Sequence, residues 1–450
     1  MTDTKKILQQ LRDYESRNIT FMDPDGSWPI VWERARGVWV WDAAGKKYLD
    51  TTAAFGVAAA GHANPRVVRA GRRQMGRLLH AMGDVHPHAL KARLARELSR
   101  LTFERWTGTA TGKVIFANSG FEAVEAALKT ALLATGKRGV IAFEDAYHGL
   151  GYGALNVTHR DHFRGPFQPQ LGRFASFLPF PRPDAREKRR ALAHVQASLR
   201  RALRGGKIGA VLVEPVQARG GINVPPPEFL PLLRQLCDEF HALLILDEIY
   251  TGFGRTGKWF ACEHTQTMPD LICLGKALTG GFPLSACVGR ADLMDAAWPP
   301  SDGEAIHTST FLGHPVGCAM ALAQITEIEQ RRLPARAAKL GAFLLAELSK
   351  IQTPAATVRC AARGLGLMAG WELTLPDGKP ATQLALRAVK SLLHRGYIFL
   401  PEGGQANVIS FTPPLTISRR QLAEAVAALA SVLPRRSPRA KNFVSLAAHS

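Results

Sequence analysis

The sequence predicts an α/β protein: a mostly parallel sheet with helices on both faces, joined to a smaller α+β domain built from the N- and C-terminal segments. Three observations carry this reading. The chain of 450 residues is 46% apolar and 21% charged, a balance that builds a large buried core and excludes a disordered chain. From about residue 113 to 330, short apolar runs rich in β-branched residues alternate with segments of helical period. Strands buried on both faces by crossover helices have that pattern. Near Arg331–Ala337 the alternation breaks, and strands and helices follow in a different order.

Taken in order, the first 70 residues hold aromatic-rich strands at Val38–Trp41 and Lys47–Leu49, then a Gly/Ala-rich loop from Ala53 to His62. Strands are expected at Lys113–Ala117, Val140–Phe143, Ala210–Glu214, Leu243–Asp247, Leu271–Leu274 and Ser285–Val288, and helices at Phe121–Ala134, Pro227–His241 and Pro315–Gln330. The final part reads as strands Val358–Arg363, Leu367–Leu373, Tyr397–Leu400 and Val408–Phe411, with helices Thr382–Arg395 and Ser418–Leu433. The expected organisation is an N-terminal segment (1–70), a large domain (71–330), a C-terminal small domain (331–434) and a basic tail (435–450).

The formal net charge of +20 raises nucleic acid or another polyanion as a partner. The surplus falls on one face of a helix bearing Arg66, Arg69, Arg73 and Arg77, on the stretch from Arg182 through Arg186 to Lys207, and on the tail (Arg435, Arg436, Arg439, Lys441). Ala191, Leu192, Val195, Leu199 and Leu203 recur at helical spacing through the second cluster, so its charges form the solvated face of an amphipathic helix. No zinc-finger, helix-turn-helix or aromatic RNA-binding pattern accompanies them, so neither nucleic acid nor membrane is expected as a partner. Six scattered cysteines without a Cys-x-x-Cys pair read as reduced thiols. With no signal-like apolar block in Met1–Asn18, they point to the cytoplasm.

In parallel sheets, ligands bind beyond the carboxyl ends of the strands. Asn118-Ser119-Gly120-Phe121 opens a helix after one strand, a turn suited either to a phosphate or to an ordinary N-cap. Asp247-Glu248 ends another strand, where a carboxylate can hold a cationic ring nitrogen or simply terminate the strand. Gly275-Lys276 follows a third, with Gly280-Gly281 after it, and burial there would make the lysine a nucleophile. Two other patterns are set aside. Gly252–Lys258 matches a nucleotide loop but is followed by Trp259 in place of Ser/Thr. His80, His86 and His88 have no accompanying carboxylate or thiol ligands, so no metal is expected.

The order and spacing of these motifs resemble the class III (omega) aminotransferases, pyridoxal-phosphate enzymes of fold type I. The shared segments run from Gly61-His62 through Tyr147-His148-Gly149 and Glu214-Pro215-Val216-Gln217 to Asp247-Glu248-Ile249-Tyr250-Thr251-Gly252-Phe253-Gly254-Arg255-Thr256-Gly257. They continue through Leu274-Gly275-Lys276-Ala277, 29 positions after Asp247, to His307-Thr308-Ser309-Thr310-Phe311 and Asn407–Leu415. The resemblance implies a seven-stranded-type sheet, pyridoxal 5′-phosphate, and a homodimer with active sites shared across the interface. It makes Lys276 the Schiff-base lysine and proton shuttle, Asp247 the partner of the pyridinium nitrogen, and Tyr147 the residue stacked on the ring. Ser119, Gly120 and Phe121 would hold the phosphate, and Thr310 the phosphate of the neighbouring subunit. His148 would belong to the cofactor-binding set, Glu214 would sit near the Asp247 edge, and Tyr250 would lie near O3′.

The implied reaction moves an amino group from an amine or ω-amino acid to a 2-keto acid in ping-pong half-reactions. A racemase, epimerase or aminomutase on the same cofactor remains as an alternative, and a binding module retaining only the fold is disfavoured by the intact Lys276, Asp247 and Tyr147. Several positions depart from the family pattern. Phe121 stands for Ser/Thr, Tyr250 for Gln and His314 for Asn. Leu150 and Ser410 replace two carboxylate-gripping arginines, and Arg219 stands where relatives carry an acid. In this reading the family's acid–arginine pair becomes Arg219 plus Ser410. Arg219 either grips a substrate carboxylate through its planar fork or points to solvent.

Overall fold

The computed structural model describes residues 4–24, 26–182, 188–353 and 357–433. Arg186 of the second basic cluster and the tail arginines and lysine (Arg435, Arg436, Arg439, Lys441) lie outside the described residues. Near the N-terminus, β1 (Trp32–Arg36), β2 (Trp39–Asp42) and β3 (Lys47–Asp50) form an antiparallel meander. The central sheet uses β4 (Gly112–Ala117), β5 (Gly139–Phe143), β6 (Ala175–Leu178), β7 (Ile208–Val213), β8 (Leu243–Asp247), β9 (Leu271–Leu274) and β10 (Ser285–Arg290). The C-terminal part adds β11 (Arg359–Leu365), β12 (Met368–Thr374), β13 (Tyr397–Ile398), β14 (Leu400–Glu402) and β15 (Val408–Phe411).

The seven central strands lie in the order β4-β10-β9-β8-β7-β5-β6. All pairings are parallel except those of β10, which runs antiparallel to β9 and β4. Successive strand residues point to opposite faces, and both faces are dry. Val211, Val213, Leu244, Leu246, Ile272 and Leu274 join one apolar core, while Ala210, Leu212, Ile245, Leu271 and Cys273 join another. That is why these strands read as unbroken apolar runs. The second core is closed by helix Gly120–Thr135, whose small buried residues Ala123, Ala126 and Ala127 let it approach the sheet closely.

Most expected elements are present with ends shifted by a residue or two. One expectation fails: Tyr397–Leu400 is not one strand. β13 pairs in parallel with β3, whereas β14 pairs antiparallel with β15 in another sheet. Phe399 is buried between them, its ring 4.9 Å from that of Phe411. A short apolar run cannot reveal such a division, because each half is defined by a distant partner strand. The pattern break near 331 lies at Arg331–Arg332, between helices Pro315–Gln330 and Leu333–Ser349, with Arg332 at a left-handed φ of +48°.

The second basic cluster is helical over Lys188–Arg204, and Val195, Leu199 and Leu203 are its buried stripe. Lys188 and Arg200 pair with Glu228 and Glu239 at 2.8 and 2.7 Å. The Gly252–Gly257 turn serves packing. Arg255 is fully buried, and its guanidinium donates to the carbonyls of Leu367 (2.9 Å) and Pro413 (2.6 Å). Among the described residues all six cysteines are unpaired, and no helix is long and apolar enough to cross a membrane.

Candidate active site

Five strand ends of the central sheet converge on a cavity of about 600 Å³. β8 delivers Asp247, whose Oδ1 accepts the Ile249 N–H (3.1 Å) and whose Oδ2 lies 2.8 Å from His148 Nδ1. His148 follows β5 and is buried. Its main-chain N–H donates to Thr158 Oγ1 (2.9 Å), while its Nε2 finds no hydrogen-bond partner. Asp247 is therefore gripped from two sides beneath the cavity floor.

Glu214, one residue beyond β7, holds this floor together. Its carboxylate accepts the N–H of Tyr147 (2.9 Å) through one oxygen and of Ala218 (3.2 Å) through the other, joining two loops. Burial pushes its carboxyl up to about 7, with the nearby Asp247 charge raising it further and His148 opposing. The Tyr147 hydroxyl is pushed up as well, by burial first.

Beyond β9, Lys276 adopts a left-handed φ of +41°, a strained conformation for a lysine and a common one at functional sites. Its Nζ lies 4.3 Å from the centroid of the Tyr250 ring and has neither a hydrogen bond nor an ion pair among the described residues. Desolvation holds this ammonium below its usual range, while Asp247 and Glu214 pull the other way. Tyr250 is buried, with its hydroxyl 3.1 Å from Thr412 Oγ1.

At the end of β4, Glu122 satisfies the start of helix Gly120–Thr135. Its Oε2 accepts from Asn118 N (3.1 Å), Ser119 N (2.7 Å) and Ser119 Oγ (2.8 Å). The next N–H groups, of Gly120 and Phe121, have no intrahelical acceptor. A Cβ on Gly120 would come within 3.0 Å of Ile249 Cδ1, so glycine keeps the backbone against this wall. The Phe121 ring packs on the Gly149–Gly151 loop, where a Cβ on Gly151 would sit 2.5 Å from it. The phenylalanine that replaces a hydroxyl residue thus packs against a loop kept thin by glycines.

Of the residues singled out in the sequence, Ser119, Gly120, Phe121, Tyr147, His148, Glu214, Arg219, Asp247, Tyr250 and Lys276 all line this cavity. Thr310 does not. It is exposed, on a loop that the nearby histidines fasten. His88 Nε2 lies 2.7 Å from the Gly313 carbonyl oxygen, and the His80 ring packs 5.4 Å from that of Phe311.

Arg219 and Ser410, which stand at the positions of the family's acid–arginine pair, have different partners. Ser410 donates its hydroxyl to the Leu400 carbonyl (3.1 Å), and the group facing Arg219 is Glu402, at the end of β14. Arg219 Nε and Glu402 Oε2 are 3.6 Å apart, and Glu402 is only 3% exposed. Arg219 lines the cavity instead of extending to solvent, with its guanidinium carbon 5.7 Å from the Tyr147 ring and 5.8 Å from the Phe55 ring. Glu402 escaped the sequence reading because it lies beyond the mis-joined strand; its only signal is an acid just after Phe399-Leu400-Pro401.

Known proteins place this geometry. The family model for class-III aminotransferases matches residues 21–433. The chain belongs to the class-III aminotransferases. It is 37% identical to an acetylornithine aminotransferase of Methanosarcina mazei, over 89% of this chain and 91% of that protein. It is 36% identical to a 5-aminovalerate aminotransferase of Pseudomonas aeruginosa, over 89% of this chain and 93% of that one. An aminotransferase crystal structure from Bacillus anthracis superposes with a TM-score of 0.87 at 26% identity, covering 96% of this chain and 99% of that one.

This aminotransferase is an enzyme that transfers amino groups with pyridoxal phosphate as cofactor. The residues present fit that cofactor. The cavity offers an unpaired lysine amine, a carboxylate braced by a buried histidine, an aromatic ring from Tyr147, and a glycine-walled helix N-terminus with free N–H donors. The matched relatives named here are aminotransferases, and none lends support to a racemase or mutase outcome.

Proposed function

We propose that this aminotransferase works as a cytoplasmic homodimer, taking the amino group from an amine or ω-amino acid and passing it to a 2-keto acid. The observation that carries the residue assignment is the convergence of Lys276, the Asp247–His148 pair and the Gly120 helix start on one cavity. When bound, pyridoxal phosphate supplies an electrophilic carbonyl and a ring that takes up the electron pair released at the substrate α-carbon.

Lys276 would hold the cofactor through Nζ, and with substrate bound the same nitrogen would take up and return the proton of the substrate α-carbon. The dry surroundings lower the basicity of this amine, which suits it to carry a proton. Asp247, braced by His148, holds the proton on the ring nitrogen. Tyr147 covers a ring face, and the main-chain N–H groups of Gly120 and Phe121, beside Ser119, take the phosphate. Glu214 acts from behind by tying the Tyr147 and Ala218 backbones together, and Tyr250 forms the floor under Lys276. Arg219 receives the substrate carboxylate.

A dimer is supported by apolar side chains around Thr310 that a single chain leaves in water. Leu79, Met82, Val85, Ile306 and Phe311 are each more than half exposed, an extent that marks an interaction surface. Thr310 sits on this surface, suited to reach the partner subunit's cofactor phosphate. Unpaired thiols fit a reducing compartment. The reading is tested with an amine-donor panel, first without acceptor and then with pyruvate or 2-oxoglutarate. A cofactor absorbance change that stalls after one half-reaction and restarts with keto acid supports it; turnover of an amino acid with no keto acid present refutes it. Sedimentation tests the dimer, for which a monomeric active enzyme is the overturning result.

A further inference from the structure

Arg160 is assigned no role by the reading above, yet it stands beside the cavity. His159 fastens the start of its segment to the Tyr147 loop: its N–H donates to the Ala146 carbonyl (2.9 Å), and its Nδ1 accepts the Asp145 N–H (3.1 Å). The Arg160 guanidinium carbon lies 5.2 Å from the Phe163 ring, and that ring is 5.4 Å from the Tyr147 ring. Arg219 stands 5.7 Å from the same Tyr147 ring. Two guanidinium groups therefore flank one aromatic pair.

Their compensation is incomplete. Glu402, the acid beside Arg219, is nearly dry, and burial pushes its carboxyl up to about 7 against the pull of Arg219, Arg160 and Lys276. Among the described residues no side chain makes an ion pair or hydrogen bond with Arg160, and burial followed by the charge of Arg219 holds its guanidinium below its ordinary range. Arg219 Nε is also buried without a hydrogen-bond partner. Two partly desolvated cations face the same buried acid, with Asp145 the further acid acting on Arg160, and such a pair favours an incoming anion. The two are not equivalent. Arg219 lines the cavity and bears on the Lys276 amine, whereas Arg160 is not part of that lining.

We propose that Arg160 is a specificity residue, holding the distal carboxylate of a dicarboxylic 2-oxo acid or its amino acid while Arg219 holds the carboxylate nearer the reacting carbon. Glu402 is the resting partner of Arg219 and gives it up when substrate arrives. The inference rests on the assignment of Arg219 to the substrate carboxylate, and the two are separable by experiment.

The holoenzyme is assayed with 2-oxoglutarate and with pyruvate under one amine donor. In Arg160→Gln, kcat/KM for 2-oxoglutarate falls about tenfold, through KM, and the 2-oxoglutarate:pyruvate ratio falls with it. Arg160→Lys, which keeps the charge, recovers most of the ratio. Arg182→Gln, on an exposed arginine paired with Asp145, serves as the control and leaves the ratio unaltered. An unchanged ratio in Arg160→Gln, with cofactor absorbance and melting temperature intact, overturns the proposal. So does an equal drop in Arg182→Gln, which would show only a diffuse surface field. Arg219→Gln should weaken both keto acids. If it weakens neither, the Arg219 assignment fails independently of the Arg160 result.

Discussion

The two walls of the cavity are built differently. The floor, with Asp247, His148, Glu214 and Lys276, comes from the ends of neighbouring strands in one sheet, each group one to five residues past an apolar run. The opposite wall joins Arg219, on a loop after β7, to Glu402, at the end of a three-residue strand in another sheet. On the floor every carboxylate oxygen named has a donor within about 3.2 Å. On the wall the ion pair is 3.6 Å long and Arg219 Nε lacks a hydrogen-bond partner. A satisfied network holds reacting groups still; a loosely paired charge can exchange one anion for another. The comparison assigns chemistry to the floor and substrate choice to the wall.

The largest expected effect tests the floor. Lys276→Ala should abolish transamination and remove the absorbance band of the covalently held cofactor while the chain stays folded; surviving turnover would end the assignment. Asp247→Asn should lower kcat by roughly 10²–10³-fold, the scale for removing one preorganised electrostatic partner, with KM for the keto acid changing far less. Loss of the brace should be milder. His148→Ala is expected to reduce kcat about 10–100-fold, as for other groups that orient a functional side chain, measured by steady-state kinetics with cofactor occupancy as a control.

The wall should respond in the other parameter. Arg219→Gln is expected to raise KM for keto acids about tenfold, with kcat nearly unchanged and aldehyde acceptors unaffected. An equal loss of kcat for aldehydes would erase the distinction between the two walls. The smallest effect concerns Glu402. Its folded value of about 7 exceeds the ordinary 4.5, so between those pH values the unfolded chain has lost a proton that the fold still holds. Ionisation therefore costs the fold nothing below about 4.5 and its full penalty above about 7. The charges facing this carboxyl are Arg219, Arg160 and Lys276. Glu402→Gln removes the penalty, so its gain in melting temperature over the parent should be a few degrees larger at pH 8 than at pH 5. An equal gain at both would refute the account.

Legibility in the sequence follows the same division. Apolar runs separated by helical periods revealed the central sheet because each strand of it is buried on both faces. The groups ending β8 and β9, and the turn before the helix at Gly120, were visible because a chemically unusual residue ends a run of ordinary ones. The basic cluster at 188–204 could likewise be assigned to a surface helix from its apolar stripe, whereas the helix expected to carry Arg66 through Arg77 ends at Met75 and leaves Arg77 beyond its C-cap, Gly76.

What only the tertiary structure decided is the far wall. Local sequence could not divide residues 397–402 between two sheets, since Tyr397–Leu400 reads as one apolar run and the two registers belong to strands at 47–50 and 408–411. With that division hidden, the acid that faces Arg219, Glu402, went unseen, as did Arg160. Local periodicity reports which residues are buried, because burial repeats along the chain with the element's own period. It does not report which charge meets which across the cavity. That depends on pairing between segments some 180 residues apart, as Arg219 and Glu402 are, and such pairing exists only in the fold.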